Sequence, residues 1–480
     1  MNTNIAERIF QVARDSPMQF AFQSERASTS YARLRTLAVA HALRLQQNGV
    51  NRGSVVAVGL TNLVANICVV LGCALLGSRW VHATKAAINS TFLNITHVIR
   101  DQPSRPPTGA RALRWDASWT QIPKTQNKFR FPGFAAPSDA WMIAQSSGTT
   151  GTVKFIPITA SGVLERLAYP FDLDMNERPV GASLSQPLSV ISLFAILRIL
   201  VRGGTILVGR DFAFFAKYGA NYITGSPTQL DALCRRYTQN DDKKICSVAV
   251  AGGISTPRLY EALFERFEVV RNVYSSSEAG VASSKLITPA TMSDGSAGPA
   301  AEAVSIEIVD SNGALMASGE KGLVRLRAPG QSVQYIGDAE TTKTAFLDGW
   351  FYPGDIGYLS AAGELHVSGR ANDQLNFGGI KVNAEAIDEV VQAVAGVVDG
   401  ICFLQSQFRM VDELAVVICQ QPETDTRQIA AEIRKAIAEK FGPSRVPKRI
   451  YVSEKVLRNE NGKPTRHLAA DAVKGLEPIA

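Results

Sequence analysis

Apolar residues recur at three- and four-residue steps at the start of the chain. Ile5, Ile9, Phe10 and Ala13 fall on one face of a helix over residues 5–14. A second helical run over residues 31–48 carries Leu34, Leu37, Ala38, His41, Ala42 and Leu45 in the same way. The pattern then changes: residues 55–60, 205–208, 247–251 and 269–274 are short and rich in β-branched side chains, which predicts strands. Helical stretches at 192–201 and 257–267 lie between them. This alternation predicts sheets covered by helices, an α/β fold. Residues 102–138, rich in Pro, Arg, Thr and Gln, predict an irregular surface excursion.

The last part of the chain has a different texture. Residues 384–394 predict a helix, and residues 398–404 and 414–420 predict strands. A helix over Thr426–Phe441 places Ile429, Ile433, Ile437 and Phe441 on one face, with Thr424 or Asp425 as its cap and Gly442 as its stop. Residues 450–456 close the set as a strand. The expected organisation is a large N-terminal domain over residues 1–369 and a small α+β C-terminal domain over residues 370–480. No internal repeat is visible.

Composition narrows the class. The 480 residues have 46% hydrophobic and 19% charged side chains, which excludes a mainly disordered chain. A net charge of +7 from scattered basic residues argues against a nucleic-acid partner, which favours a clustered basic stripe. Residues 54–77 are apolar, but Thr61, Asn62 and Asn66 interrupt them, so they read as a strand and a buried helix rather than a membrane span. Glu7, Arg8, Arg14 and Asp15 break any secretory signal. Six cysteines without CxxC or zinc spacing fit a reducing compartment, so a cytoplasmic location is expected.

Candidate chemistry starts at Gln145–Pro157, QSSGTTGTVKFIP, which follows a strand-like run. Ser146, Ser147, Thr149 and Thr150 offer hydroxyls, Gly148 and Gly151 free backbone N–H groups, and Lys154 adds a cation. Such a loop suits a polyphosphate. It lacks the Walker spacing, since Gly148 to Lys154 reads GxxGxxK.

SSGTTGxxK resembles the phosphate-loop signature of the acyl-adenylate-forming enzymes: acyl-CoA synthetases, peptide synthetase adenylation domains and firefly-type luciferases. Val153 and Phe155 stand where that family usually has Pro and Gly. Further stretches resemble the family in the same order along residues 30–466. Gly252-Gly253 is similar to its turn beside adenine, and Tyr274-Ser-Ser-Ser277-Glu278 to its YGxTE. The run from Gly349 through Asp355, Gly363 and Gly369 to Arg370 and Asp373 is similar to GWFxTGDxGxxxxxGxxxxxGRxxD. Asn461-Gly462-Lys463 is similar to its C-terminal GK.

The resemblance implies ATP and Mg²⁺ as cofactors and a carboxylic acid as substrate, activated as an acyl adenylate and passed to a thiol. It implies that Tyr274 stacks on adenine, Ser277 contacts the α-phosphate and Glu278 holds Mg²⁺, a hard cation suited to carboxylate and phosphate oxygens. It also implies that Asp355 and Arg370 hold the ribose and that Lys463 reaches the carboxylate and α-phosphate. Lys463, Ser277, Glu278 and Lys154 are thus the expected catalytic residues. A hinge is expected near Asn372, with Gly378 and Gly379 along the thiol channel. Ser189, Val190, Ser276 and Gly280 are the expected acid-pocket residues. Val190 stands where amino-acid-activating relatives keep an Asp, and Val cannot neutralise an ammonium, which argues against α-amino acids. Small Ser189 leaves room for an aryl ring or an alkyl chain. The thiol is coenzyme A or a carrier-protein phosphopantetheine, with coenzyme A favoured. A nucleotide-binding relative without catalysis is the reading from a different class.

Overall fold

The computed structural model describes residues 4–103, 105–121, 130–147, 153–168, 178–235, 244–253, 255–371, 374–377, 380–405, 413–458 and 464–479. Two sheets with helices between them form its largest body. One runs in the order Gly280–Ile287, Phe267–Ser276, Ile245–Ala251, Tyr222–Gly225, Val180–Ser183, Thr205–Leu207, Phe20–Gln23, Ser28–Ser30. Its six central strands pair in parallel, and the two outer strands are antiparallel. The second runs Arg111–Arg114, His97–Arg100, Val55–Gly59, Arg79–His82, Ala140–Ser147, Val153–Thr159. It is parallel except for its last pair.

Parallel strands covered on both faces need continuous apolar runs rather than alternation. Val55–Gly59 meets that need, with its first four residues buried. The chain then enters helix Leu63–Leu76, capped by Asn62, whose side chain accepts from the Ala65 N–H. Buried Asn66 exchanges two hydrogen bonds with the Leu60 backbone, at 3.1 and 2.7 Å. These two asparagines are among the three polar interruptions of the apolar stretch, and both satisfy backbone groups at the strand-to-helix turn. Gly77 ends the helix at φ +69°, and a Cβ there would lie 2.0 Å from the Gly133 carbonyl oxygen, so only glycine fits. Among the described residues no helix is long and apolar enough to cross a membrane.

The helices Ile5–Asp15, Tyr31–Gln47, Leu63–Leu76 and Val190–Val201 share one core between the sheets. Tyr31 ties two of them, donating its hydroxyl to the carbonyls of Leu200 and Gly204 at 3.1 and 2.7 Å. An antiparallel sheet built on Gly322–Arg327, Asp355–Leu359 and Leu365–Arg370 follows. The later residues form a hairpin, Gln374–Phe377 with Ile380–Asn383, and a three-stranded sheet, Val397–Gln405, Glu413–Gln420, Arg449–Val452. Two separate apolar clusters, drawn almost wholly from residue 384 onward, pack helices Ala384–Ala393, Thr426–Phe441 and Arg466–Ala472 on that sheet.

Several expected boundaries move. Residues 102–138 are not wholly irregular: Arg111–Arg114 is an edge strand and a 3-10 turn at Ala117–Thr120 buries Trp119. The strand shows no apolar alternation because only Leu113 of its four residues is buried. The helix expected to reach 267 ends at Phe264, and Phe267 already begins the next strand. Gly369 lies inside strand Leu365–Arg370, and Asn372 lies outside the described residues.

Candidate functional site

Strand Ala140–Ser147 leads into the hydroxyl-rich loop and Val153–Thr159 leads out. Gly148, Thr149, Thr150 and Gly151 lie outside the described residues, but the base of the loop is defined. Ser147 pairs with Val153 and Ser146 with Lys154, so the cation stands opposite the first loop serine. Gln145 anchors the base. Its side-chain amide donates to the His82 carbonyl at 2.8 Å, and its oxygen accepts from the Thr84 hydroxyl at 2.5 Å. Lys154 Nζ lies 4.7 Å from the centre of the Tyr335 ring, a distance at which the ring face attracts a cation.

The hairpin Phe267–Ser276 and Gly280–Ile287 turns through Ser277 and Glu278. The Ser276 hydroxyl accepts from the Ala279 N–H at 3.0 Å, and Gly280 adopts φ +80°, so the acid-pocket candidates Ser276 and Gly280 shape this turn. Glu278 is 7% exposed. Its Oε1 accepts from the Tyr335 hydroxyl at 3.0 Å, and its backbone carbonyl accepts from the Ser332 N–H at 2.8 Å. Residues 330–336 act as a strap from this turn to the strand leaving the loop. The Ser332 hydroxyl donates to the Pro157 carbonyl at 2.6 Å, and the Ile336 N–H to the Phe155 carbonyl at 2.8 Å. Burial, then the charge of Glu278, raises the Tyr335 pKa, so its hydroxyl stays a donor at neutral pH.

Arg166, on helix Ala160–Ala168, is buried beside the same turn. It donates to the carbonyls of Gly330, Ser277 and Glu278 at 2.9, 3.0 and 2.5 Å. Burial pushes the guanidinium down to about 10, while the charges of Glu278 and Glu165 oppose the shift. It remains a cation at neutral pH.

Asp355 and Arg370 are cross-strand partners, with Arg370 Nε 3.4 Å from Asp355 Oδ1. Asp355 is 6% exposed, and its other oxygen accepts from the Tyr274 hydroxyl. Burial, then the charge of Asp355, raises the Tyr274 pKa well above its usual value. The carboxylate and the aromatic ring expected at ribose and adenine are therefore in direct contact.

Gly252 turns at φ +87°, and Ile191 Cδ1 would lie 3.3 Å from a Cβ there. Gly253 lies as close to Pro227. Ser189 caps helix Val190–Val201, its hydroxyl accepting from the Ser192 N–H at 3.4 Å and donating to the Gln186 carbonyl at 2.8 Å. Val190 packs on the core. The helix start expected at 192 thus lies at 190, and its Ile191 approaches the glycine turn. Lys463 and Gly379 lie outside the described residues.

Tyr335 and Arg166 carry no motif. Tyr335 sits in an unpatterned Val-Gln-Tyr-Ile run, but Arg166 had a signal: it follows Ala160 and Val163 at three-residue steps on a buried face. A charge at a core position needs a partner. Among the described residues no group of three or more His, Cys, Asp or Glu could hold a metal ion. Glu278 is one oriented carboxylate, tied through Tyr335 and its strap to strand Val153–Thr159, and Mg²⁺ takes such a carboxylate when nucleotide oxygens complete its shell, so the donor set fits that ion. A cavity of about 270 Å³ lined by residues such as Phe22, His41, Cys68 and Trp115 includes none of these groups.

The AMP-binding enzyme family model matches residues 9–336. A "Probable CoA ligase CCL9" of Humulus lupulus is 25% identical, covering 92% of this chain and 91% of its own length. A 2-succinylbenzoate–CoA ligase of Bacillus licheniformis is also 25% identical, covering 88% and 91%. In fold the chain is similar to the o-succinylbenzoate coenzyme A synthetase of Bacillus subtilis, solved with ATP and magnesium ion. The TM-score is 0.83 at 18% identity, covering 96% of this chain and 98% of that one. With the match extending over two thirds of its length, the chain belongs to the AMP-binding enzyme family.

Proposed function

We propose that the chain joins a carboxylic acid to a thiol at the expense of ATP, through an acyl adenylate. It is an AMP-forming acid–thiol ligase, and coenzyme A is the thiol. In the first half-reaction a carboxylate oxygen attacks the α-phosphorus and pyrophosphate leaves. In the second, the thiol sulfur attacks the acyl carbonyl and AMP leaves. Both steps depend on position and charge compensation more than on covalent help from the protein.

The convergence of Lys154, Glu278 and Tyr335 carries this reading. The strap holding Tyr335 is hydrogen-bonded to the strand bearing Lys154 and to the turn bearing Glu278. Lys154 and the loop hydroxyls receive the outer phosphates. Glu278 would hold Mg²⁺, which supplies charge compensation to the phosphates when bound. Asp355 can accept from both hydroxyls of a vicinal diol, so the ribose displaces the Tyr274 hydroxyl or shares the carboxylate with it. Lys463 closes on the reacting carboxylate. A C-terminal domain that swings near Asn372 is consistent with the separate apolar clusters after residue 384.

Val190 supports an acid without an α-ammonium, since its side chain offers no counter-charge. The relatives named for oxalate and 2-succinylbenzoate act on such acids. Free cysteines, with Cys68, Cys73 and Cys402 buried, are consistent with a cytoplasmic location. The test is pyrophosphate release from ATP across aryl, alkyl, dicarboxylic and amino acids, with and without coenzyme A. Turnover with one acid class, multiplied by coenzyme A, is expected. Adenylation indifferent to coenzyme A turns the thiol assignment to a carrier protein, and no turnover with any acid overturns the proposal.

A further inference from the structure

Arg166 is a charged side chain at a core position, 8% exposed. Each of its three nitrogens donates to a backbone carbonyl from one of two segments distant in sequence, at Ser277 and Glu278 on one side and Gly330 on the other. The approach that permits this is built in. Gly162 and Gly330 meet backbone to backbone: a Cβ on Gly330, which adopts φ +67°, would lie 2.3 Å from the Gly162 carbonyl oxygen. One helical turn beyond Gly162, the arginine stem passes beneath Gly280, where an added Cβ would lie 3.5 Å from Arg166 Cδ. The guanidinium also lies 5.5 Å from the centre of the Phe194 ring, which covers it.

An apolar side chain of similar volume would seal this space without the cost of burying a cation. What the guanidinium adds is direction. It is planar, and its donors leave it at fixed angles, so three carbonyls that satisfy it have their peptide planes set together. Two of these belong to consecutive residues, Ser277 and Glu278, and setting both planes sets the direction in which the Glu278 side chain leaves the backbone. Tyr335 then fixes the carboxylate itself. The third carbonyl, at Gly330, begins the strap whose later residues bond the strand leaving the hydroxyl-rich loop.

We propose that Arg166 is a positioning residue for metal binding: by clamping the carbonyls of Ser277, Glu278 and Gly330 it holds the Glu278 carboxylate in register with strand Val153–Thr159, which bears Lys154. The proposal rests on the reading that Glu278 holds the metal. Lysine cannot replace it fully, because an ammonium is a point charge and reaches fewer carbonyls at once.

The test compares Arg166→Lys, Arg166→Met and Glu278→Gln with the parent chain. Mn²⁺ affinity is read by electron paramagnetic resonance in the presence of a non-hydrolysable ATP analogue. Thioester formation from a supplied acyl adenylate, which involves no pyrophosphate, is measured beside it, and a thermal melt establishes folding. Arg166→Met is expected to weaken Mn²⁺ binding about tenfold or more, as loss of a residue that orients a metal ligand does. Arg166→Lys should fall between it and the parent. Thioester formation from the supplied adenylate should change by no more than about twofold, since that step does not use the oriented carboxylate. If Arg166→Met does not fold, Arg166→Lys alone decides: a folded lysine variant with parental Mn²⁺ affinity overturns the proposal. So does an equal loss in both measurements, which marks a general structural role. Glu278→Gln separates the two readings. If it weakens Mn²⁺ binding and the Arg166 variants do not, only the clamp fails; if it has no effect, the metal assignment fails and the clamp with it.

Discussion

Replacing Tyr335 by phenylalanine removes one hydroxyl and little else. The ring that Lys154 faces at 4.7 Å is kept, as is the backbone bond from the Tyr335 N–H to the Thr342 hydroxyl at 2.9 Å. What disappears is the donor 3.0 Å from Glu278 Oε1. A hydrogen bond to a charged group contributes about 1.5–3 kcal/mol. Glu278 is only 7% exposed, so water replaces the lost donor incompletely, and roughly half that range is the expected loss. About 0.8–1.5 kcal/mol corresponds to a loss of about 4- to 13-fold in kcat/KM for adenylation. The assay is acid-dependent pyrophosphate release at varied Mg²⁺, where the loss should appear mainly as a higher Mg²⁺ requirement. Tyr335→Leu should cost somewhat more, because it also removes the ring face from Lys154. A phenylalanine variant with parental rate and parental Mg²⁺ dependence would refute the claim that this hydroxyl orients the carboxylate.

Asp355→Asn should raise KM for ATP about tenfold with a smaller change in kcat, because it weakens contacts to the ribose rather than to the reacting phosphorus; an unchanged KM contradicts the ribose assignment. Lys463→Ala should abolish adenylation while sparing thioester formation from a supplied acyl adenylate, and loss of both in a folded protein counts against its role. His41 gives a pH prediction away from the site. Burial lowers its pKa to about 4, and its ring nitrogens contact the Leu37 carbonyl and the Trp115 indole N–H. The unfolded chain therefore binds the proton more readily, so the stability held by neutral His41 is complete above about pH 6.5 and is lost as pH falls toward about 4. His41→Gln should flatten the fall of the melting temperature between those limits, and a parallel fall in the variant and the parent sinks the prediction.

Much of the site follows from local chemistry. The family resemblance implies a shared role for Asp355 and Arg370, and the two residues stand opposite each other on neighbouring strands. The Gly252 turn and the Glu278 turn lie where strand-ending residues suggest them. The missing parts are those whose partners are far away in sequence. Arg166 meets carbonyls 111, 112 and 164 residues on, and Tyr335 meets a carboxylate 57 residues back. No local pattern encodes a contact with a backbone carbonyl, because every residue has one. Edge elements are hard to read for a related reason. Arg111–Arg114 buries one residue of four, so its pairing with His97–Arg100 leaves almost no mark on the hydrophobic pattern. The helix at Val190–Val201 begins two residues before the expected start at 192 because its start is fixed by the Ser189 cap.

The central claim is that the substrate's own carboxylate oxygen attacks the α-phosphorus. Its most direct test uses an acid selected by the pyrophosphate screen and labelled with ¹⁸O in both carboxylate oxygens. After turnover with ATP and coenzyme A, the AMP is analysed by mass spectrometry. The mechanism predicts one ¹⁸O in each AMP and none in pyrophosphate. Unlabelled AMP, or label appearing in phosphate with ADP as the nucleotide product, would contradict it.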